Sequence, residues 1–225
     1  QVLSVVTRLL EGDRIRQQHL SREFVTRFRE LEARRGTALG WREWIDLSRE
    51  IAVWDLKLAA APEPGLQAAL RALRESLRRD FGAFIARHYP RWISEEETDR
   101  PALSPDLVEE MVLPVLRERG KVLFVVVDCL RLDQWEALQP LVAPLFDIET
   151  SYYFSIVPSA TPYSRNALFA GLLPRDIAAA YPDWWTERED EGLNAHEHEL
   201  LVRQLERLAG RPVPTRYEKL FSTSD

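Results

Sequence analysis

The sequence predicts an α/β fold in which a parallel-sheet core is preceded by an all-α three-helix bundle. Three observations carry this. The run Val122 to Val127 (VLFVVV) is apolar without alternation and ends on Asp128, the pattern of a strand buried on both faces. Residues 1–90 repeat apolar side chains every three to four positions among Arg, Glu and Gln, which is the helical period. Between the two lies a polar, proline-bearing stretch containing SEEETDRPALSP, the composition of a linker. The expected organisation is a bundle over 1–90, a linker over 91–105 and a sheet-containing domain over 106–225.

In chain order, Leu3, Val6, Leu10, Leu20, Phe24, Phe28 and Leu31 mark one long helix that stops near Gly36. Trp41, Trp44, Ile45, Ile51 and Ala52 share the face of a second, which the stretch Pro62-Glu63-Pro64-Gly65 ends. Leu66, Leu70, Leu73, Leu77, Phe81, Phe84 and Ile85 mark the third. Short connections predict up-down-up packing. Ser104-Pro105-Asp106 starts a helix that runs to Gly120, kinked or delayed by Pro114. After the central strand, Asp133 with Glu136 forms a capping-box pattern for a helix that Pro140 bends. FDIETSYYFSIVP then reads as one or two strands. Thr161-Pro162 opens a short helix to about residue 170, stopped by Gly171. Asn194 with Glu197 caps an amphipathic helix carrying Leu200, Leu201, Gln204, Leu205 and Leu208.

Composition narrows the function. A chain of 225 residues with 45% hydrophobic content and seven tryptophans can bury a sizeable core. A formal charge of −6 and a pI near 5.4 argue against a broad nucleic-acid or membrane footprint, so phosphate chemistry would need local positive charge. The single cysteine, Cys129, excludes an intramolecular disulfide and a cysteine-based zinc site and fits a reducing cytoplasm. The apolar run is too short to span a bilayer. The opening on Gln1, directly in helical periodicity, implies a fragment of something longer.

The predicted chemistry gathers at two points. Asp128 would end a central strand, the sheet edge where ligands collect in open α/β folds. Thr161 would sit at the positive end of a helix, where free backbone N–H groups hold anions. Arg131, Arg165 and Asn166 are candidates for binding phosphate, or the arginines pair with surface acids. A haloacid-dehalogenase-type phosphatase would want a second acid where Leu130 stands, and a receiver domain would want an acidic pair where Asp128-Cys129 stands.

VVVDCLRLDQW and PSATPYSRNALFAGLLP resemble the PglZ domain of the alkaline phosphatase superfamily, found in phage-defence systems and in PorX-type response regulators. The N-terminal helices resemble the bundle that joins receiver and PglZ domains in the PorX type. The resemblance implies a partial alkaline-phosphatase-like parallel-sheet core and a site of two zinc ions. Asp128 would be a zinc ligand, and Thr161 both a ligand and the nucleophile. It implies a phosphodiester or phosphate-ester substrate, of nucleotide type, and a homodimer that carries an N-terminal receiver in its full-length form; the absence of membrane attachment is read from the composition and the short apolar run. The chain departs from the family towards its end, where the usual Asp-His pair of metal ligands is not matched. His196 and His198 lie two apart in the first turns of a helix and read as surface residues. Two functions are consistent with this: a metal-dependent phosphodiesterase or phosphatase, incomplete in this fragment, or a non-catalytic regulatory module acting through dimerisation of the bundle.

Overall fold

A computed structural model describes the backbone of residues 2–35, 37–61, 63–94, 96–185 and 194–220, with side chains at 15 and from 17 onward. Among these residues the regular structure is entirely helical: α1 (Val2–Arg35), α2 (Trp41–Ala59), α3 (Pro64–Ile93), α4 (Leu113–Arg119), α5 (Leu132–Val142), α6 (Thr161–Ala170), α7 (Pro174–Ala180) and α8 (Glu197–Ala209). The chain divides into two compact units. One comprises residues up to Arg100 together with Cys129–Thr150, and the other Pro101–Asp128 together with residues from Ser151 onward.

In the first unit, contacts between α1 and α2 pair positions whose numbers rise in one helix as they fall in the other: Lys57 reaches Glu23 at 2.7 Å, and Arg27 pairs with Glu50. The same holds for α2 and α3, where Trp44 meets Phe81 and Gln67 donates to the Leu58 carbonyl. Successive helices are therefore antiparallel. The shared interior holds Phe24, Leu31, Leu47, Trp54, Leu58, Leu70 and Leu73, all at most 3% exposed. Phe24 meets Trp54 edge to face, with ring centroids 5.2 Å apart. α2 opens on Gly40, whose N–H donates to the Glu43 carboxylate at 3.0 Å. Gly36 and Pro62, expected to stop the first two helices, lie outside the described residues, as do the side chains of Leu3, Val6 and Leu10. α5 packs against α2. Its N-cap is Arg131, two residues before the expected Asp133, with the Arg131 N–H donating to Gln134 Oε1 at 2.9 Å.

The second unit is built around α6 and α8. Leu168, Phe169 and Ala170 pack against Leu200, Leu201 and Leu205, with Leu107, Val108 and Ile177 completing the core. The chain enters it through a 3-10 turn at Ser104–Asp106 and a π-helical turn at Val108–Val112, so that α4 begins only at Leu113, with Pro114 in its first turn. Gly171 ends α6 in the left-handed conformation (φ 62°). The carbonyls at that end are met from α8. Gln204, with its amide nitrogen turned towards α6, donates to Leu168 at 3.1 Å and Phe169 at 2.9 Å, and Arg207 donates to Ala170 at 2.9 Å.

The expected parallel-sheet core is not formed. Among the described residues there are no strands, and the two predicted strand regions meet nothing of their own kind. The run after Gly120 has no regular secondary structure and is exposed: Leu123 is 87%, Val125 66% and Val127 59% accessible, and Phe124 is the member that packs against the core. The second region contributes one isolated parallel bridge, Leu103 with Phe154, in which the Phe154 N–H donates to the Ala102 carbonyl at 2.8 Å. The physical reason is pairing. A strand buried on both faces needs neighbours to take its backbone N–H and C=O groups and a helical layer on each side. Here α6 and α8 bury their apolar faces on each other instead. Asp128 therefore lies in a turn, followed by Cys129 at positive φ (58°), and not at a sheet edge.

Candidate active site

Thr161 is held in place from both sides along the chain. Upstream, Ile156 is fully buried, and its N–H donates to the hydroxyl of buried Ser104 at 3.2 Å, which anchors the segment leading into α6. Ala160, in extended conformation, is the N-cap, so Thr161 is the first helical residue and not the cap. Downstream, Asn166 to Ala170 are buried and hold the helix axis. The Thr161 hydroxyl lies 3.5 Å from Asp128 Oδ1, joining residues 33 apart in sequence. One turn along α6, Arg165 reaches Asp128 Oδ2 at 3.1 Å. The helix start offers fewer open donors than its position suggests. Pro162 has no N–H, and those of Tyr163 and Ser164 both go to the Ala160 carbonyl at 3.0 Å. Positive charge at this site comes chiefly from Arg165.

Arg165 also reaches inward. Its Nη2 lies 2.5 and 2.6 Å from the two carboxylate oxygens of Glu197, which is 1% exposed. Glu197 further accepts from Tyr217 Oη at 2.6 Å and Asn194 Nδ2 at 3.0 Å, and Lys219 Nζ stands 3.4 Å away. Burial pulls the Arg165 guanidinium towards deprotonation, but the hydrogen bonds and charges of Glu197 and Asp128 outweigh it and leave its pKa raised. Burial and the Glu197 carboxylate together push the Tyr217 phenol up to about 12 from the ordinary 10.0. The raised value means that the neutral phenol is favoured in the fold. The resulting stability is fully present below pH 10 and is lost as pH rises through about 12. An absorbance titration at 295 nm is expected to show a late tyrosine step near pH 12 that disappears in Tyr217→Phe, while burial also delays Tyr153; a curve unchanged by Tyr217→Phe contradicts the shift.

Residues 107–225, just over half of the chain, match the family described as the BREX system PglZ alkaline phosphatase-like domain. The chain belongs to the PglZ family. Residues 14–93 match a second description, the PorX response regulator linker domain. The curated proteins include no match. PglZ membership points to chemistry of the phosphatase or hydrolase type. No described helix is long and apolar enough to cross a membrane.

PglZ domains, as alkaline phosphatase-like domains, are typically metal-dependent, so a zinc site is the natural reference for the donors here. They do not fit one. A catalytic zinc takes three protein ligands, and among the described residues no three His, Cys, Asp or Glu side chains group to hold a metal. Asp128 and Thr161 supply oxygens, but the group beside Asp128 is a guanidinium, which repels a second cation. His196 stacks on Trp184 and His198 on Tyr217, with ring centroids 5.7 and 5.6 Å apart. After dialysis against chelator-free buffer, elemental analysis of this PglZ chain is expected to find zinc well below one equivalent; stoichiometric zinc would show that ligands have been misassigned.

The remaining candidates are placed differently from Thr161 and Asp128. Arg131 belongs to the other unit, where its Nε and Nη2 bind Asp133 at 3.0 and 2.9 Å. The Asp133 hydrogen bond raises the Arg131 pKa, and reciprocally the Asp133 pKa is lowered. Asn166 is 2% exposed and accepts from Asn194 at 3.4 Å. In this PglZ sequence Glu197 reads as a capping partner of Asn194 and not as a site residue, and Tyr217 carries no reading, yet a signal existed for Glu197. Leu200, Leu201, Gln204 and Leu205 stand three, four, seven and eight residues after Glu197 and share its buried face. A carboxylate in a core register requires a cation opposite it.

Proposed function

We propose that this chain is a phosphoester hydrolase acting on a phosphodiester or phosphate ester of nucleotide type in the cytoplasm, with Thr161 as nucleophile. The observation that carries it is the 3.5 Å approach of the Thr161 hydroxyl to the Asp128 carboxylate, with Arg165 alongside. An adjacent base is one way to activate a hydroxyl. Thr161 Oγ attacks phosphorus, its proton passes to Asp128, and the bond to the leaving oxygen breaks, that oxygen departing with the proton as an alcohol. Water then cleaves the phosphothreonine and restores the hydroxyl. Arg165 binds the phosphoryl oxygens of the substrate and holds them beside Thr161. Incubation with bis-p-nitrophenyl phosphate followed by acid quench is expected to give nitrophenol and a phosphoryl adduct that peptide mass spectrometry locates on Thr161. Turnover with Thr161 unmodified, or no turnover, contradicts the proposal.

The match of residues 14–93 to the PorX response regulator linker favours a second reading. In it, α1 to α3 dimerise and relay the state of an attached receiver domain, and the PglZ part binds without catalysis. A chain that dimerises in light scattering but forms no adduct supports this reading.

A further inference from the structure

Among the described residues Glu197 is the one buried carboxylate, and its surroundings exceed what a helix cap needs. A helix start would ask for no more than the one hydrogen bond that Asn194 gives the Glu197 carboxylate, and the N-cap of α8 is His196, not the expected Asn194. Instead, Arg165 from α6 and Tyr217 and Lys219 from the segment after α8 all converge on it. The bridge through Arg165 is asymmetric: its inner partner has 1% side-chain exposure and its outer partner, Asp128, 43%. A carboxylate sealed from water holds a guanidinium tightly, whereas an exposed one exchanges readily with competing anions. A purely structural tie is redundant here, because α6 and α8 are already joined by their apolar faces and by Gln204 and Arg207. The tie is also imperfect as a stabiliser, since Arg165 Nε is buried without a hydrogen-bond partner.

We infer that Glu197 is a positioning residue that holds the Arg165 guanidinium beside Asp128 and Thr161, so that its outer face exchanges Asp128 for a phosphoryl oxygen. Tyr217 in turn fixes the Glu197 carboxylate. The inference rests on reading the site as one for phosphoesters. Arginine suits the role because its planar fork can serve an inner and an outer anion at once, which the point charge of lysine cannot.

The test uses the 225-residue chain labelled with 15N-arginine, in which the Arg165 Nε–H resonance is assigned by its loss in Arg165→Lys. Glu197→Gln keeps the shape and an acceptor for Tyr217 but removes the charge. It is expected to speed water exchange of the Arg165 resonance about tenfold or more. With bis-p-nitrophenyl phosphate it should raise KM roughly tenfold while kcat changes less than about threefold, because the lost interaction serves binding. Tyr217→Phe, which leaves both charges, should shift exchange and KM the same way by a smaller factor, about threefold. A cooperatively folded Glu197→Gln with unchanged exchange or unchanged KM overturns the inference. If Glu197→Gln does not fold, Tyr217→Phe decides, and unchanged Arg165 exchange there overturns it. If the wild-type chain lacks turnover, the phosphoester reading falls, and Arg165 exchange alone decides whether Glu197 positions it.

Discussion

Replacing Thr161 by alanine is expected to abolish phosphoester turnover while leaving the fold in place. The two effects differ greatly in size. A lost nucleophile removes the covalent route, lowering kcat by about a thousandfold or more. The structural loss is small, because Ala160 caps α6 and the Thr161 hydroxyl makes one long hydrogen bond, 3.5 Å, to an exposed carboxylate. Such a bond contributes under about 1 kcal/mol, equivalent to a few degrees or less in Tm for a chain of this size, on the order of 2–4 °C per kcal/mol. Paired kcat and thermal-melt measurements separate the outcomes. A folded Thr161→Ala chain with near-normal turnover removes Thr161 from the mechanism.

Gly171→Val is expected to destabilise the second unit by about 3 kcal/mol or more. A β-branched residue at φ 62° is strained by on the order of 1–3 kcal/mol. The added Cβ would also collide with the Gln204 amide and lie 2.9 Å from the Arg207 guanidinium, adding roughly 1–3 kcal/mol of overpacking. Those two side chains are the ones that meet the C-terminal carbonyls of α6, so relieving the collision breaks the attachment of α6 to α8. Chemical denaturation monitored by tryptophan fluorescence checks this. A Gly171→Val midpoint equal to that of wild type would show that the α6 end relaxes without cost.

The helices were legible because their signals are local. Thr161-Pro162 lies in the first turn of α6 and Gly171 ends it; both act within a few residues. The sheet was misread because VLFVVV specifies an apolar, β-prone segment but not a neighbour for it, and pairing is a property of the whole fold. The site divides in the same way. Asp128, Thr161 and Arg165 stood out as motif residues, whereas Glu197 was hidden by its plausible local role with Asn194. Its partner on α6 lies 32 residues away, beyond the reach of any spacing argument. Arg131 was the converse case: the acid that takes it, Asp133, is two residues along the chain.

The exposed run from Val122 to Val127 bears on the thermodynamics of unfolding. Heat-capacity change and denaturant sensitivity both scale with apolar surface that is dry when folded and wet when unfolded. Leu123, Val125 and Val127 are wet in both states, so they add hydrophobic content to the composition without adding curvature to the stability curve. A chain of this length would ordinarily unfold with a heat-capacity increase of about 3 kcal/mol/K. This one is expected to fall below that in calorimetry, and its stability to vary more gently with temperature and denaturant than its 45% hydrophobic content implies.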